Sequence, residues 1–219
     1  MAKIGISAVI FDMDGVISDT EKIHAQTESH LLKKYGVVIS PEEITRRYAG
    51  IKFDRMLTEI TDNHLNRHEI DKIVREKWKL MESCNQMIKP IEGSTELIKE
   101  FYDSGLRMAV ASSSNYSYVV SIINKLGLEK YFLSLIGGDM VTNGKPDPEI
   151  FILAAEKMKV NPENCLVIED GISGMKAAKS ANMQCIGLVE HREDEYPTKN
   201  LVLSLNEISF SYLERLSLI

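Results

Sequence analysis

Short apolar runs that stay continuous, with no polar residue at every second position, constrain this chain most. The clearest are Ile6–Phe11, Arg107–Ala111, Cys165–Ile168 and Gln184–Leu188, with Leu201–Leu203 and Ser134–Ile136 as shorter ones. A strand wetted on one face alternates polar and apolar residues, and a strand covered on both faces does not. Helical patterns lie between the runs. Thr95–Asp103 puts Leu97, Ile98 and Phe101 on one face and stops at Gly105. Asn115–Leu126 repeats Val119, Ile122, Ile123 and Leu126 and stops at Gly127. Pro148–Lys159 opens with Asp147-Pro148, an N-cap followed by proline at the first helical position, and Gly174–Ala181 gives a shorter helix. Strand and helix alternate, which predicts an α/β fold with a parallel sheet flanked by helices.

The stretch from about Thr20 to Lys89 breaks this alternation. Ile23, Thr27, Leu31 and Tyr35 share a helical face that ends at Gly36. Ser40-Pro41-Glu42-Glu43 reads as a capping box, and Ile70, Ile73, Val74, Lys77 and Trp78 mark a later helix. The expectation is an all-helical domain, residues 19–89, inserted into a core domain of residues 1–18 and 90–219.

Composition narrows the class of function. Hydrophobic residues make up 44% of the 219 and charged residues 26%, enough for a full core and a wetted surface. The net charge of -6, with no basic run interleaved with aromatics, disfavours nucleic acid as a partner. No apolar run approaches the ~20 residues of a membrane helix, and Ile4–Phe11 is too short for a signal peptide. Cys84, Cys165 and Cys185 form no CxxC pair and read as buried thiols of a reducing compartment. A cytoplasmic monomer is expected.

The first apolar run ends in Asp12-Met13-Asp14-Gly15-Val16. In an open parallel sheet, ligands bind beyond the carboxyl ends of the strands, and two acids there need a cation or a shared proton. Asp12 and Asp14 point the same way if the strand continues, and Gly15 lets the chain turn. Taken alone, such a pair is equally well a turn. Three later segments add to it. Ser112, Ser113 and Ser114 follow the second strand and, with Asn115, open a helix, where hydroxyls and N–H groups suit an anion. Gly144-Lys145-Pro146-Asp147-Pro148 sets a lysine in a stiff loop. Glu169-Asp170-Gly171 brings two more acids to a strand end.

If these strand ends converge, Asp12, Asp14 through its main-chain carbonyl, and Asp170 offer hard oxygen ligands that suit Mg²⁺. Asp12 would then attack a phosphate ester in line, Ser112 and Lys145 would hold the phosphoryl oxygens, and Asp14 would protonate the leaving alkoxide. That role needs Asp14 to start protonated, its pKa raised by the acids around it.

In order and spacing, Asp12-Met13-Asp14-Gly15-Val16, Ser112, Lys145 and Glu169-Asp170 resemble the four motifs of the haloacid dehalogenase superfamily, and the subgroup they look like is β-phosphoglucomutase and its sugar-phosphate phosphatase relatives. The resemblance spans the whole chain and is specific because all four motifs occur together. It implies a Rossmann-like core with a helical cap inserted after the first motif, the site roles just given, and Glu169 beside Asp170 as a further metal ligand. Dehalogenases of this superfamily lack the second acid of the first motif, so Asp14 points to phosphoryl transfer. Thr20 and His24 resemble the mutase hinge. In the cap loop Ala49–Arg55, Phe53 fills a place where the mutase has an arginine, with Lys52 or Arg55 as its substitute; Gly50 and Lys52 are expected as cap contacts to substrate.

The resulting expectation is a Mg²⁺-dependent phosphatase of a small phosphorylated metabolite, a sugar phosphate above others. A β-phosphoglucomutase and a non-catalytic phosphometabolite-binding protein are the alternatives. His64 and His68 read as a solvated helix face, Lys33-Lys34 as a charged surface, and His191–Glu195 as a solvated loop.

Overall fold

The computed structural model describes residues 5–84, 88–192 and 195–216. The side chain of Cys84, and Glu193 and Asp194 of the loop after the fourth apolar run, lie outside the described residues. Six parallel strands form one sheet: β1 Ala8–Phe11, β2 Arg107–Ala111, β3 Ser134–Ile136, β4 Cys165–Glu169, β5 Gln184–Leu188 and β6 Asn200–Val202. Their spatial order is β3-β2-β1-β4-β5-β6. β1 pairs with β2 on one side and with β4 on the other, Phe11 lying in register with Val110 and Ile168.

The continuous apolar runs have the expected cause. Val9, Phe11, Val110 and Ile168 pack into one buried cluster with Ile98 and Phe101 of α5 (Ser94–Asp103) and Val119 and Ile122 of α6 (Tyr116–Lys125). Ala8, Ile10, Ala109 and Val167 face the opposite cluster, with Phe151 and Ala154 of α7 (Glu149–Met158) and Met175 and Ala178 of α8 (Ile172–Ser180). Both faces are therefore dry, and burial of this apolar surface is the main force holding the layers together. Cys165 and Cys185 are buried and free. The last helix, α9 (Phe210–Leu216), buries Leu213 in the first cluster.

Between β1 and α5 lie four helices: α1 Glu21–Lys34, α2 Pro41–Tyr48, α3 Phe53–Ile60 and α4 Arg67–Cys84. They have a core of their own, with Leu31, Leu32, Ile44, Phe53, Met56, Leu57 and Ile73 at its centre. The buried stripe of α1 is Ala25, Glu28, Leu31 and Leu32 rather than the Ile23, Thr27, Leu31, Tyr35 line read from sequence. An i, i+4 row drifts around a helix of 3.6 residues per turn, and α1 must turn one constant face to both α2 and α4. Only half of the Ser40 capping box forms: Ser40 Oγ accepts from Glu43 N at 3.1 Å, while the Glu43 carboxylate turns to Arg47. His64 lies in the turn before α4 and shares no helix face with His68. Among the described residues, no helix is long and apolar enough to cross a membrane.

The chain enters and leaves this helical insertion through adjacent crossings. Asp19 N donates to the Lys89 carbonyl at 2.9 Å, Ile91 N to the Ile17 carbonyl at 2.9 Å, and Ser94 Oγ to the same Ile17 oxygen at 3.2 Å.

Candidate active site

Because β1 is flanked by β2 and β4, the segments leaving these three strands emerge side by side, at the point of an open α/β sheet where ligands bind. Asp12 follows β1, and its backbone N donates to the Ile168 carbonyl of β4 at 2.9 Å. Glu169 closes β4 and Asp170 follows it. The tight turn after Asp14 requires glycine: Gly15 has φ +88°, and a side-chain carbon there would lie 2.0 Å from Asp170 Oδ2.

Lys145 is 0% exposed. Its ammonium contacts Asp12 Oδ1, lies 2.7 Å from Glu169 Oε1 and donates to the Ala111 carbonyl at 3.2 Å. Glu169 also accepts from Gly171 N at 2.5 Å through Oε2. One buried cation thus binds the strand ends of β1, β2 and β4 together. Burial works to lower the pKa of Lys145, but Asp12 and Glu169 overcome it and raise the pKa, so the ammonium keeps its proton.

Two carboxylates remain under-compensated. Burial pushes Asp12 up to about 8, with Lys145 opposing and Glu169 and Asp14 adding to the rise. Asp170 is raised well above the ordinary carboxylate value, first by burial and then by Glu169, Asp12 and Glu21. Ligand oxygens of Asp12, Glu169 and Asp170 all lie within 4.8 Å of one another. An all-oxygen donor set with surplus negative charge fits a hard divalent cation.

Asp14 departs from its expected state. Its Oδ1 accepts from Thr20 Oγ1 at 2.5 Å and lies 3.2 Å from His24 Nε2. Its Oδ2 accepts from Ser112 Oγ at 2.9 Å and Ser114 Oγ at 2.8 Å. Burial alone would raise its pKa, but the close approach of the His24 ring and the hydrogen bonds from Thr20 and Ser114 overcome this and hold it below the ordinary value. The expectation that acidic neighbours keep Asp14 protonated is therefore corrected: the neighbours that dominate are donors.

The remaining predicted positions divide into two groups. Ser113 and Gly50 line the pocket between the helical insertion and the sheet, and Ser113 Oγ donates to the Gly50 carbonyl at 2.6 Å. His24 lines the same pocket, and Thr20 is buried beneath it. Asn115 is turned to its own helix, where Oδ1 accepts from Tyr118 N at 3.0 Å. Lys52 lies in a second groove, its ammonium 3.4 Å from the Val141 carbonyl, beside Arg55 and Asp147. From the N-cap of α3 its ammonium reaches the loop that precedes α7.

Sequence reading missed Ser114, Glu28 and Lys77, all three pocket-lining. Ser114 was read only as part of the serine run suited to an anion, and its hydrogen bond to Asp14 was not foreseen. Lys77 had a signal, since it continues the apolar face of Ile73 and Val74. Glu28 had none apart from its spacing to Leu31 and Leu32.

A family model described as haloacid dehalogenase-like hydrolase matches residues 9–188. A phosphorylated carbohydrates phosphatase of Thermotoga maritima is 35% identical over 189 residues, covering 85% of this chain and 86% of that protein. A fructose-1-phosphate phosphatase of Escherichia coli is 31% identical over 184 residues, covering 82% and 95%. The crystal structure of a β-phosphoglucomutase from Clostridium difficile superposes with a TM-score of 0.88 at 29% identity, over 97% of each chain.

Proposed function

The chain belongs to the haloacid dehalogenase-like hydrolase family and is a phosphatase of phosphoric monoesters, and from that premise we propose that it hydrolyses a small phosphorylated metabolite, a sugar phosphate, through a phospho-aspartate on Asp12. The observation that carries the reading is the binding of Asp12 and Glu169 by the single buried ammonium of Lys145, with Asp170 alongside. The helical segment 19–89 acts as the cap over a core of residues 1–18 and 90–219.

In this reading Asp12 Oδ attacks phosphorus and the ester P–O bond breaks. Lys145 and the hydroxyls of Ser112 and Ser114 hold the transferring oxygens. Asp12, Asp170, Glu169 and the Asp14 carbonyl would hold Mg²⁺, which would supply the positive charge a carboxylate needs to approach an anionic ester. Asp14 rests ionised; when the phosphoryl oxygens take over the Ser112 and Ser114 hydroxyls, Asp14 loses two donors, its pKa rises, and it takes the proton of a substrate arriving as the phosphate monoanion and passes it to the leaving alkoxide. Asp14 then takes a proton from water as the water oxygen attacks phosphorus, which frees Asp12 and inorganic phosphate.

A phosphomutase is the second reading, favoured by the fold of the Clostridium difficile protein. It has to hold the second phosphate of a bisphosphate. Phe53, where the mutases carry an arginine, is buried in the cap core, and Lys52 and Arg55 face the other groove. That arrangement supports hydrolysis. The test is phosphate release from sugar phosphates, nucleotides and an aryl phosphate, with Mg²⁺, with chelator and with Asp12→Asn. Release that needs both Mg²⁺ and Asp12 supports the proposal. Silence towards every member, with isomerisation of β-glucose 1-phosphate in the presence of its bisphosphate, would replace it by the mutase.

A further inference from the structure

The cap wall of the pocket contains a buried ion pair. Lys77 Nζ of α4 lies 2.5 Å from Glu28 Oε1 of α1, and the two residues are 4% and 7% exposed. The same ammonium sits 4.6 Å from the ring centre of Phe53 and 4.7 Å from that of Trp78. All four residues line the pocket that also opens onto Asp12 and Asp170. A buried ion pair gains little over apolar packing of the same volume, so packing between α1 and α4 gives no reason for this one.

Lys77 is the only lysine or arginine among the described residues lining this pocket. Its charge is cancelled by Glu28, but its hydrogen-bonding capacity is not used up. An ammonium has three donors and a carboxylate about four acceptor positions. The pair therefore offers the pocket a donor and an acceptor side by side with no net charge. A hydroxyl, which both donates and accepts, matches that pattern. A second carboxylate or phosphate does not, because whatever it gains from Lys77 it loses to Glu28 while also being desolvated. The Trp78 and Phe53 rings add apolar surface of the kind that C–H faces of a carbon skeleton cover.

Building on the phosphatase reading, we infer that the Glu28–Lys77 pair is a charge filter in the cap. It admits phosphomonoesters with an uncharged, polyhydroxylated skeleton and discriminates against those with a second anionic group.

The experiment uses two matched pairs of compounds. Sorbitol 6-phosphate and 6-phosphogluconate differ by a terminal CH₂OH against a carboxylate. Fructose 1-phosphate and fructose 1,6-bisphosphate differ by a second phosphate. Binding is measured by calorimetry on the Asp12→Asn chain with Mg²⁺, and hydrolysis on the unaltered chain. The uncharged member of each pair is expected to bind about tenfold or more tightly, with the hydrolytic difference in KM rather than kcat. Glu28→Gln releases the ammonium, so the preference should shrink by about tenfold or reverse. Glu28→Gln combined with Lys77→Gln removes both charges and should restore it.

Equal or tighter binding of the anionic members by the chain with Glu28 and Lys77 intact would overturn the filter, and needs no cap variant to fold. An unmoved ratio in a folded Glu28→Gln protein would overturn it too. Hydrolysis without the preference removes the filter and leaves the phosphatase. Preference in binding without any hydrolysis keeps the filter and removes the phosphatase.

Discussion

Ser113 Oγ donates to the carbonyl of Gly50 at 2.6 Å, which fastens the cap loop to the turn after β2. Ser173 Oγ makes a parallel contact to the Ala49 carbonyl at 3.0 Å. Two serines of the core thus hold two consecutive peptide units of the cap. Each such hydrogen bond contributes about 0.5–1.5 kcal/mol. The Ser113→Ala, Ser173→Ala double variant should therefore raise KM by roughly tenfold, with a smaller change in kcat. Hydrogen exchange at residues 49–53 should speed up while β1 and β4 stay protected. Unchanged exchange there would mean that these contacts do not hold the cap.

Asp12→Asn separates chemistry from stability. The amide removes the attacking carboxylate, so phosphate release should fall on the order of 10³-fold or more. It also removes one acid from a site where burial already pushes Asp12 up to about 8. The metal-free variant should melt at or above the unaltered chain. A lower melting temperature would show that the Lys145–Asp12 contact outweighs the crowding of carboxylates.

Metal affinity should depend on pH in a defined direction. Without metal, the raised pKa values of Asp12 and Asp170 mean that the folded chain keeps protons an unfolded one has released. For Asp12 the folded state therefore binds more protons between pH ~4 and ~8, which lowers stability progressively as pH rises through that window, and Asp170 acts in the same direction. Mg²⁺ replaces the protons, so its affinity should rise up to about pH 8 and level off above. Calorimetry at pH 7 in two buffers of different ionisation enthalpy should show net proton release. Asp170→Asn should weaken binding and reduce the number of protons released; an identical metal titration would remove Asp170 from the ligands.

Lys145→Met leaves Asp12 and Glu169 facing each other without a cation. Removing one partner of a buried pair costs about 3–5 kcal/mol, which for a chain of this size lowers the melting temperature by roughly 10 °C. The loss should be largest near pH 8 and smaller near pH 5, where Asp12 holds its proton. Thermal melts at the two values distinguish this from a simple packing defect, which would be equal at both.

The sheet was legible because each strand carries its own evidence. A run such as Arg107–Ala111 is apolar whether or not its partners are known, and the structure returns it with the same bounds. The acids at strand ends were legible for the same reason. What sequence withheld was pairing across long separations. Glu28 and Lys77 meet because α1 and α4 pack, and neither helix alone reveals that its buried polar residue has a counterpart. The state of Asp14 was misread because the nearby acids are visible in the chain, whereas Thr20 and His24 become its neighbours only when the chain turns at Gly15, and Ser114 only when β2 pairs with β1. That Lys52 lines the second groove was not legible, because a cap loop has no periodicity to fix where its side chains point.

The paired crossings at Asp19–Lys89 and Ile17–Ile91 bring the two ends of the insertion together before any cap residue is placed. Closing the intervening loop then costs little more for a long segment than for a short one. The catalytic carboxylates are held by strands on the far side of that junction. Natural selection can therefore lengthen, shorten or exchange the whole helical module as a cassette, and change what is recognised without rebuilding the machinery that reacts.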